Sequence, residues 1–193
     1  MAGRKRDPVI DDAILRAASA VLAKSGYAAF AIESVAARLE IPKSTIYTRW
    51  RSRSHLLGYV LSQRIALMRE IDPDSAGDLR LALIDHLTED IRLSRTREGL
   101  AIAQATLAAR DTEGSHLDEI VQQSDHRRAG YHLLLERAVE RGELPAEADL
   151  DLVLDLLLGA VWAAVLRGQP RDEAAAARLV DAVLAAIPIR GNA

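Results

Sequence analysis

The chain contains no cysteine, which excludes a disulfide framework, a thiolate nucleophile and a Cys-ligated zinc. Aromatic side chains make up only 4% of the 193 residues. The core must therefore be filled by Leu, Val, Ile and Ala, a set that suits helices packed closely on helices. Lysine is nearly absent as well: 3 lysines stand beside 22 arginines, while alanines number 34. The longest apolar run, Leu156 to Leu166, has 11 residues including Gly159, short of the roughly 20 that span a bilayer. The basic start, from Met1 to Pro8, leads into no apolar stretch of signal-peptide length. A cytoplasmic protein with no membrane partner is the simplest expectation.

What is present reads as helix. Ile10, Ala13, Ile14, Ala17, Ala18, Val21 and Leu22 form an i, i+3, i+4, i+7 stripe. Asp11 and Asp12 sit in its first turn and Gly26 follows its last, as a helix dipole and a C-cap favour. Further helices are expected at 32–39, 42–50, 54–69, 78–93, 97–109, 117–141, 149–167 and 172–187. The breaks fall at Asp72-Pro73-Asp74, Gly114-Ser115, Gly142 to Pro145, Gly168 to Pro170 and Pro188. Strand alternation is nowhere sustained, so the fold class is all-α.

Charge divides the chain unevenly. Residues 1–60 hold 10 Lys/Arg against 5 Asp/Glu, leaving +5, whereas the rest holds 15 against 23, leaving -8; together these give the net -3. A basic quarter on an acidic body is the asymmetry expected when one end alone meets a polyanion.

The chemistry concentrates between Ala31 and Trp50. Ile32, Val35, Leu39, Ile41, Ile46 and Trp50 can share one small core, with Ala36 small enough for two helices to cross closely. A short turn at Glu40–Ile41 then projects a second helix outward, as DNA-reading helix-turn-helix units do. Lys43, Ser44, Thr45, Tyr47, Thr48 and Arg49 are expected to point away from that core, and no acid lies between Lys43 and Arg53. These are donors for phosphates and base edges.

From residue 8 to about 57 the sequence resembles the TetR family of bacterial transcriptional regulators. The likeness rests on the amphipathic first helix, Gly26-Tyr27, Ile32 to Ala37, Lys43-Ser44-Thr45-Ile46-Tyr47, the aromatic Trp50 and the base Arg53, with no gap in spacing. Arg141-Gly142-Glu143-Leu144-Pro145, the apolar helix to Arg167 and Asp172-Glu173 resemble one branch of the family's ligand domains. The resemblance implies an N-terminal three-helix helix-turn-helix DNA-binding domain over 8–68 and a C-terminal helical ligand-binding and dimerisation domain over 69–193. It implies that Lys43, Thr45 and Tyr47 hold phosphates and that Ser44, Thr48 and Arg49 touch bases. Arg53 would grip a phosphate together with a helix N-terminus. Arg4, Lys5 and Arg6 resemble basic arms laid in a minor groove; a solvated tail is the equal alternative. Phe30 and Ala31 stand where Thr is common, and Pro42 where Ser is usual. Glu40 replaces a usual glycine, so the turn either avoids positive φ or is strained.

The family likeness further implies a homodimer through the last two long helices, a double-stranded operator, and a small apolar or amphipathic effector. His86, Gln104, Thr106, Tyr131 and Trp162 are the candidate ligand-binding residues. His86, Glu89 and Asp90 share a helix face, a spacing that more often makes a surface ion-pair cluster than a metal site. No catalytic constellation, metal set or cofactor motif is legible. The function expected is that of a ligand-responsive repressor on a pseudo-palindromic operator. An activator or broadly binding DNA protein with the same head is the alternative, and a helical carrier or enzyme that never meets DNA a more distant one.

Overall fold

The computed structural model describes residues 8–74, 78–111 and 117–187, with the side chains of 110 and 111 left aside. Among them are nine helices and no strand: α1 (Pro8–Ala29), α2 (Ile32–Leu39), α3 (Lys43–Tyr47), α4 (Arg53–Ala66), α5 (Leu79–Ser94), α6 (Arg97–Asp111), α7 (Asp118–Glu140), α8 (Leu150–Leu166) and α9 (Ala175–Ala186). The breaks expected at Gly114-Ser115 and Pro188, and the arm of Arg4, Lys5 and Arg6, lie outside the described residues.

Packing forms two compact units. The first takes the chain up to Ala66 together with Arg97–Gln122, and the second takes Leu67–Thr96 together with the chain from Gln123 onward. The first unit thus reaches beyond the stretch read as its domain, because α6 packs against α1 and α4. Its core joins Ile14, Ala18 and Leu22 of α1 to Val35, Ile46, Trp50, Leu57 and Leu61, and to Ala101 and Ala105 of α6. Alanines on α6 let its backbone come close to its neighbours, which is where an aromatic-poor composition leads. Leu39 and Ile41 are only half-buried in this core.

Two backbone features shape the head. α1 breaks at Gly26, whose φ of 77° and ψ of 177° belong to a region reserved for glycine. Glu40 takes φ 55°, ψ 37°, the left-handed alternative of the two left open by the sequence. Its neighbour closes the helix end, with the Ile41 N–H donating to the Ala36 carbonyl at 3.1 Å and the Glu40 N–H to Ala37 at 3.3 Å. Neither Ala31 nor Pro42 supplies a side-chain cap.

In the second unit α5 packs on α8 and α9, and α8 on α9. Leu83, Leu87, Ile91, Tyr131, Leu134, Leu154 and Val180 form its centre. Aspartates start two of its helices: Asp78 accepts from the Leu81 N–H at 3.3 Å and Asp149 from the Leu152 N–H at 3.0 Å. Glu143 reaches back from beyond α7 to accept from the Leu79 N–H at 3.1 Å.

Candidate nucleic-acid interface

The turn at Glu40 aims a short recognition segment away from the head's core. Regular helix covers only Lys43–Tyr47, but turns continue it to Trp50: the Thr48 N–H donates to Ser44 at 3.0 Å and the Trp50 N–H to Ile46 at 2.9 Å. Ile46 and Trp50 are buried and anchor the segment. Lys43, Ser44, Tyr47 and Thr48 are exposed, whereas Thr45 is half-buried. Tyr47 leaves 45% of its surface to solvent, a large exposure for an aromatic ring.

The cations of this segment are not all presented alike. Lys43 Nζ lies 3.0 Å from Glu33 Oε1 of α2 on an open surface. That bond holds the Glu33 carboxyl below the usual carboxylate range and lifts the Lys43 ammonium above its own. Arg49 departs from the outward placement read from the sequence. Its guanidinium turns back on α1, where Nε meets Asp11, and only 14% of the side chain remains exposed. Arg49 Nη1 also donates to the Thr45 carbonyl at 3.0 Å and to Thr48 Oγ1 at 3.3 Å. The physical reason is the partner: Asp11 of α1 lies within reach, and the guanidinium folds back along its own segment onto the Thr45 carbonyl to meet it.

Arg53 likewise folds inward. It donates to the carbonyls of Phe30 (2.8 Å) and Tyr27, with its guanidinium carbon 5.2 Å from the centre of the Tyr27 ring. These contacts tie the start of α4 to the end of α1. Sequence reasoning passed over Arg51, which the structure leaves exposed. Its membership of the acid-free run from Lys43 to Arg53 was the available signal. The Arg51 N–H donates to His55 Nδ1 at 3.2 Å, and the His55 N–H to Ser52 Oγ at 3.0 Å, which orders the turn before α4.

The five residues read as ligand-binding are divided between the two units. Gln104 is exposed and Thr106 half-buried, both on α6 of the first unit. His86, Tyr131 and Trp162 belong to the second, with Trp162 half-buried. His86 and Tyr131 do meet, edge to face, with ring centroids 6.1 Å apart. Here the surface-cluster reading of His86, Glu89 and Asp90 is corrected. His86 is buried, and Asp90 bonds Arg127 Nε at 2.7 Å and the Tyr131 hydroxyl. Arg127, missed in the sequence, also lies 3.5 Å from Glu89 and donates to the carbonyls of Arg69 (3.2 Å) and His86 (3.4 Å).

Burial shifts this cluster. It lowers the His86 imidazole, helped by Arg69 and Arg127 nearby, and raises the Asp90 carboxyl against the pull of Arg127 and Tyr131. Burial and the Asp90 charge together raise the Tyr131 phenol. His86 Nδ1 is buried without a hydrogen-bond partner. Among the described residues no group of three His, Asp or Glu could hold a metal ion, and no helix is long and apolar enough to cross a membrane.

A helix-turn-helix head joined to a helical body is the organisation of a DNA-binding transcriptional regulator, a class distinct from enzymes. The sequence profile of bacterial regulatory proteins of the tetR family matches residues 14–60, and that of the tetracyclin repressor-like C-terminal domain matches 72–183. The chain belongs to the TetR family. It is 31% identical, over 89% of its own length and 90% of the relative's, to the DNA-binding transcriptional repressor TetR of Mycobacteroides abscessus. It is 29% identical to the HTH-type transcriptional regulator YdeS of Bacillus subtilis, over 83% and 80% of the two chains. Among solved structures, the TetR family transcription regulator SCO0332 superposes with a TM-score of 0.70 at 26% identity, covering 93% of this chain and 99% of the other. FadR of Bacillus subtilis, solved in complex with stearoyl-CoA, shares the fold with a TM-score of 0.69 at 18% identity, over 92% and 100%.

Proposed function

We propose that this regulator is a cytoplasmic, ligand-responsive repressor that binds a pseudo-palindromic operator as a homodimer, with residues 8–68 as its DNA-binding domain and 69–193 as its effector and dimerisation domain. The observation that carries the reading is the exposed face of Lys43, Ser44, Tyr47 and Thr48, on a segment that itself holds no acid, set on the buried anchors Ile46 and Trp50. Lys43, Thr45 and Tyr47 hold phosphates; Ser44, Thr48 and Arg49 read base edges. Arg49 does so by exchanging Asp11 for DNA. Arg53 buttresses the segment through Tyr27 and Phe30 and adds its charge to the field. Arg4, Lys5 and Arg6 reach the adjacent minor groove.

The partner is a second copy. On α8, Leu152, Leu156, Gly159, Ala163 and Leu166 follow one another at intervals of four and three residues, the seam spacing of paired helices. Leu152, Leu156 and Leu166 remain 53%, 47% and 69% exposed, and an added Cβ at Gly159 would meet only open space. A groove of about 210 Å³ runs beside this stripe, lined by Leu152 and Leu156 of α8 and by Val183 and Ala186 of α9. So large an apolar surface on one chain is the mark of an interaction face. Two copies joined there would present two recognition segments to successive half-sites. A small apolar or amphipathic effector in the body, near His86 and Tyr131, would then shift the equilibrium between DNA-bound and released states.

A mobility-shift titration with DNA from the gene's own promoter region tests the reading. Binding is expected to weaken steeply with salt and to fall at least tenfold in Tyr47→Ala; wild-type affinity in Tyr47→Ala and Arg49→Ala overturns it. Sedimentation of Leu156→Asp is expected to give a monomer, and transcription that falls on deleting the gene would make the protein an activator instead.

A further inference from the structure

Beside the recognition segment, wholly within the first unit, lies a cavity of about 230 Å³. Its walls come from α1, the turns after α3, α4 and the first turn of α7. Asp11, Arg49, Trp50, His55, Tyr59 and Glu119 line it. The chemistry of these walls is uneven. Trp50 and Tyr59 form an aromatic corner, with ring centroids 6.0 Å apart and planes at 59°. Asp11 is matched by Arg49. Glu119 Oε2, in contrast, is buried and has no hydrogen-bond partner.

A carboxylate oxygen withdrawn from water and left without a donor is costly, and the cost falls if a cationic donor reaches it. Two carboxylates share one guanidinium in the cavity wall, so one carboxylate is left for a further cation. The faces of Trp50 and Tyr59 suit an alkyl chain carried by that cation. An anion would face Glu119 and Asp11 while the guanidinium is already engaged. A bare divalent ion would want six or more oxygen ligands, more than two carboxylates provide. The volume lies below the 300–1,000 Å³ typical of sites for larger ligands, which limits the guest to a few heavy atoms.

We propose that this cavity binds a small organic cation, a primary alkylammonium whose N–H groups donate to Glu119 and whose alkyl chain lies against Trp50 and Tyr59. The site borders the recognition segment through Arg49 and Trp50, and the proposal stands whether or not the repressor reading does.

The test uses the full chain carrying Trp162→Phe, so that Trp50 is the only tryptophan left to report. Its emission is titrated at pH 8 with propylammonium chloride, and with sodium chloride and propanol as the ionic and neutral controls. A saturable change with propylammonium alone, in the millimolar range, is expected. Glu119→Gln should weaken it about tenfold, the scale of losing a charged hydrogen-bond partner. Tyr59→Leu should weaken it several-fold while Tyr59→Phe keeps it, because the ring and not the hydroxyl is needed. An unsaturable response, an equal response to sodium, or undiminished binding in Glu119→Gln overturns the proposal and leaves water as the occupant. If Glu119→Gln loses its helical circular dichroism, the Tyr59 pair decides: equal binding in Tyr59→Leu and Tyr59→Phe overturns it.

Discussion

Each unit holds a largely covered arginine–aspartate pair between helical elements, Arg127–Asp90 in one and Arg49–Asp11 in the other, and their surroundings differ more than their exposure does. In the body, Arg127 and Asp90 are 12% and 13% exposed. Both oxygens of Asp90 are used, one by Arg127 and the other by the Tyr131 hydroxyl, and Arg127 has two backbone carbonyls besides. In the head, Arg49 is almost as covered, but Asp11 is 27% exposed and the pair borders a cavity. The first pair is a closed network in which every charge is met from several sides. The second is open on one side, so on the proposed reading DNA can compete for the arginine. A buried ion pair of the first kind is held by its whole surroundings, and one of the second kind can be exchanged.

The comparison can be broken most easily in the body. Arg127→Ala leaves Asp90 buried and uncompensated and should lower stability by about 3–5 kcal/mol in urea denaturation. Replacing both partners by leucine should recover most of that loss. A cost for Arg127→Ala no larger than that for Asp11→Ala would erase the distinction. Next in size is Arg49→Ala, expected to weaken operator binding by about 1–3 kcal/mol while leaving the thermal midpoint nearly unchanged. A large fall in midpoint would instead place Arg49 with Arg127 as a structural residue.

A smaller effect concerns acidity. Burial holds the folded His86 imidazole below its ordinary value, with Arg69 and Arg127 adding to the shift and Glu89 and Asp85 opposing it. As pH falls through about 6.5, the unfolded chain takes up a proton that the folded chain refuses, so stability declines towards the lower folded value. Melting between pH 7.5 and 5.5 should therefore drop a few degrees further for wild type than for His86→Gln; identical slopes would deny the histidine this role. The smallest change is expected for Asp11→Asn, which releases Arg49 and should tighten operator binding two- to threefold, in line with the ~1 kcal/mol or less of a solvent-open ion pair. Weaker binding would mean that Asp11 orients Arg49 for DNA instead of withholding it.

Most of the helices were legible because periodicity and Gly/Pro punctuation are local properties of the chain. The cluster around Asp90 was not, for the opposite reason. Spacing placed His86, Glu89 and Asp90 on one face of α5, but whether that face meets water or Arg127 depends on a helix that passes 37 residues later. The placement of α6 escaped for a similar reason, since its alanines suit any close neighbour and do not say which. In the head, the residue types between Lys43 and Arg53 were plain, yet the direction of Arg49 depends on Asp11, 38 residues away in sequence. The second Asp90 oxygen and the orphaned Nδ1 of His86 have no counterpart in any one-dimensional pattern.

The left-handed Glu40 has an evolutionary consequence. A side chain at φ 55° costs about 1–2 kcal/mol over the ordinary helical region, and asparagine or glycine at that one position would relieve it. The turn before the recognition segment thus contains a margin the present sequence has not taken up. A lineage that acquired it could accept destabilising changes along Lys43 to Arg49 and still fold, since selection acts on a threshold of stability and not on its maximum. A new operator preference would then lie a short mutational walk from the present one, with its first step at a residue that faces no base.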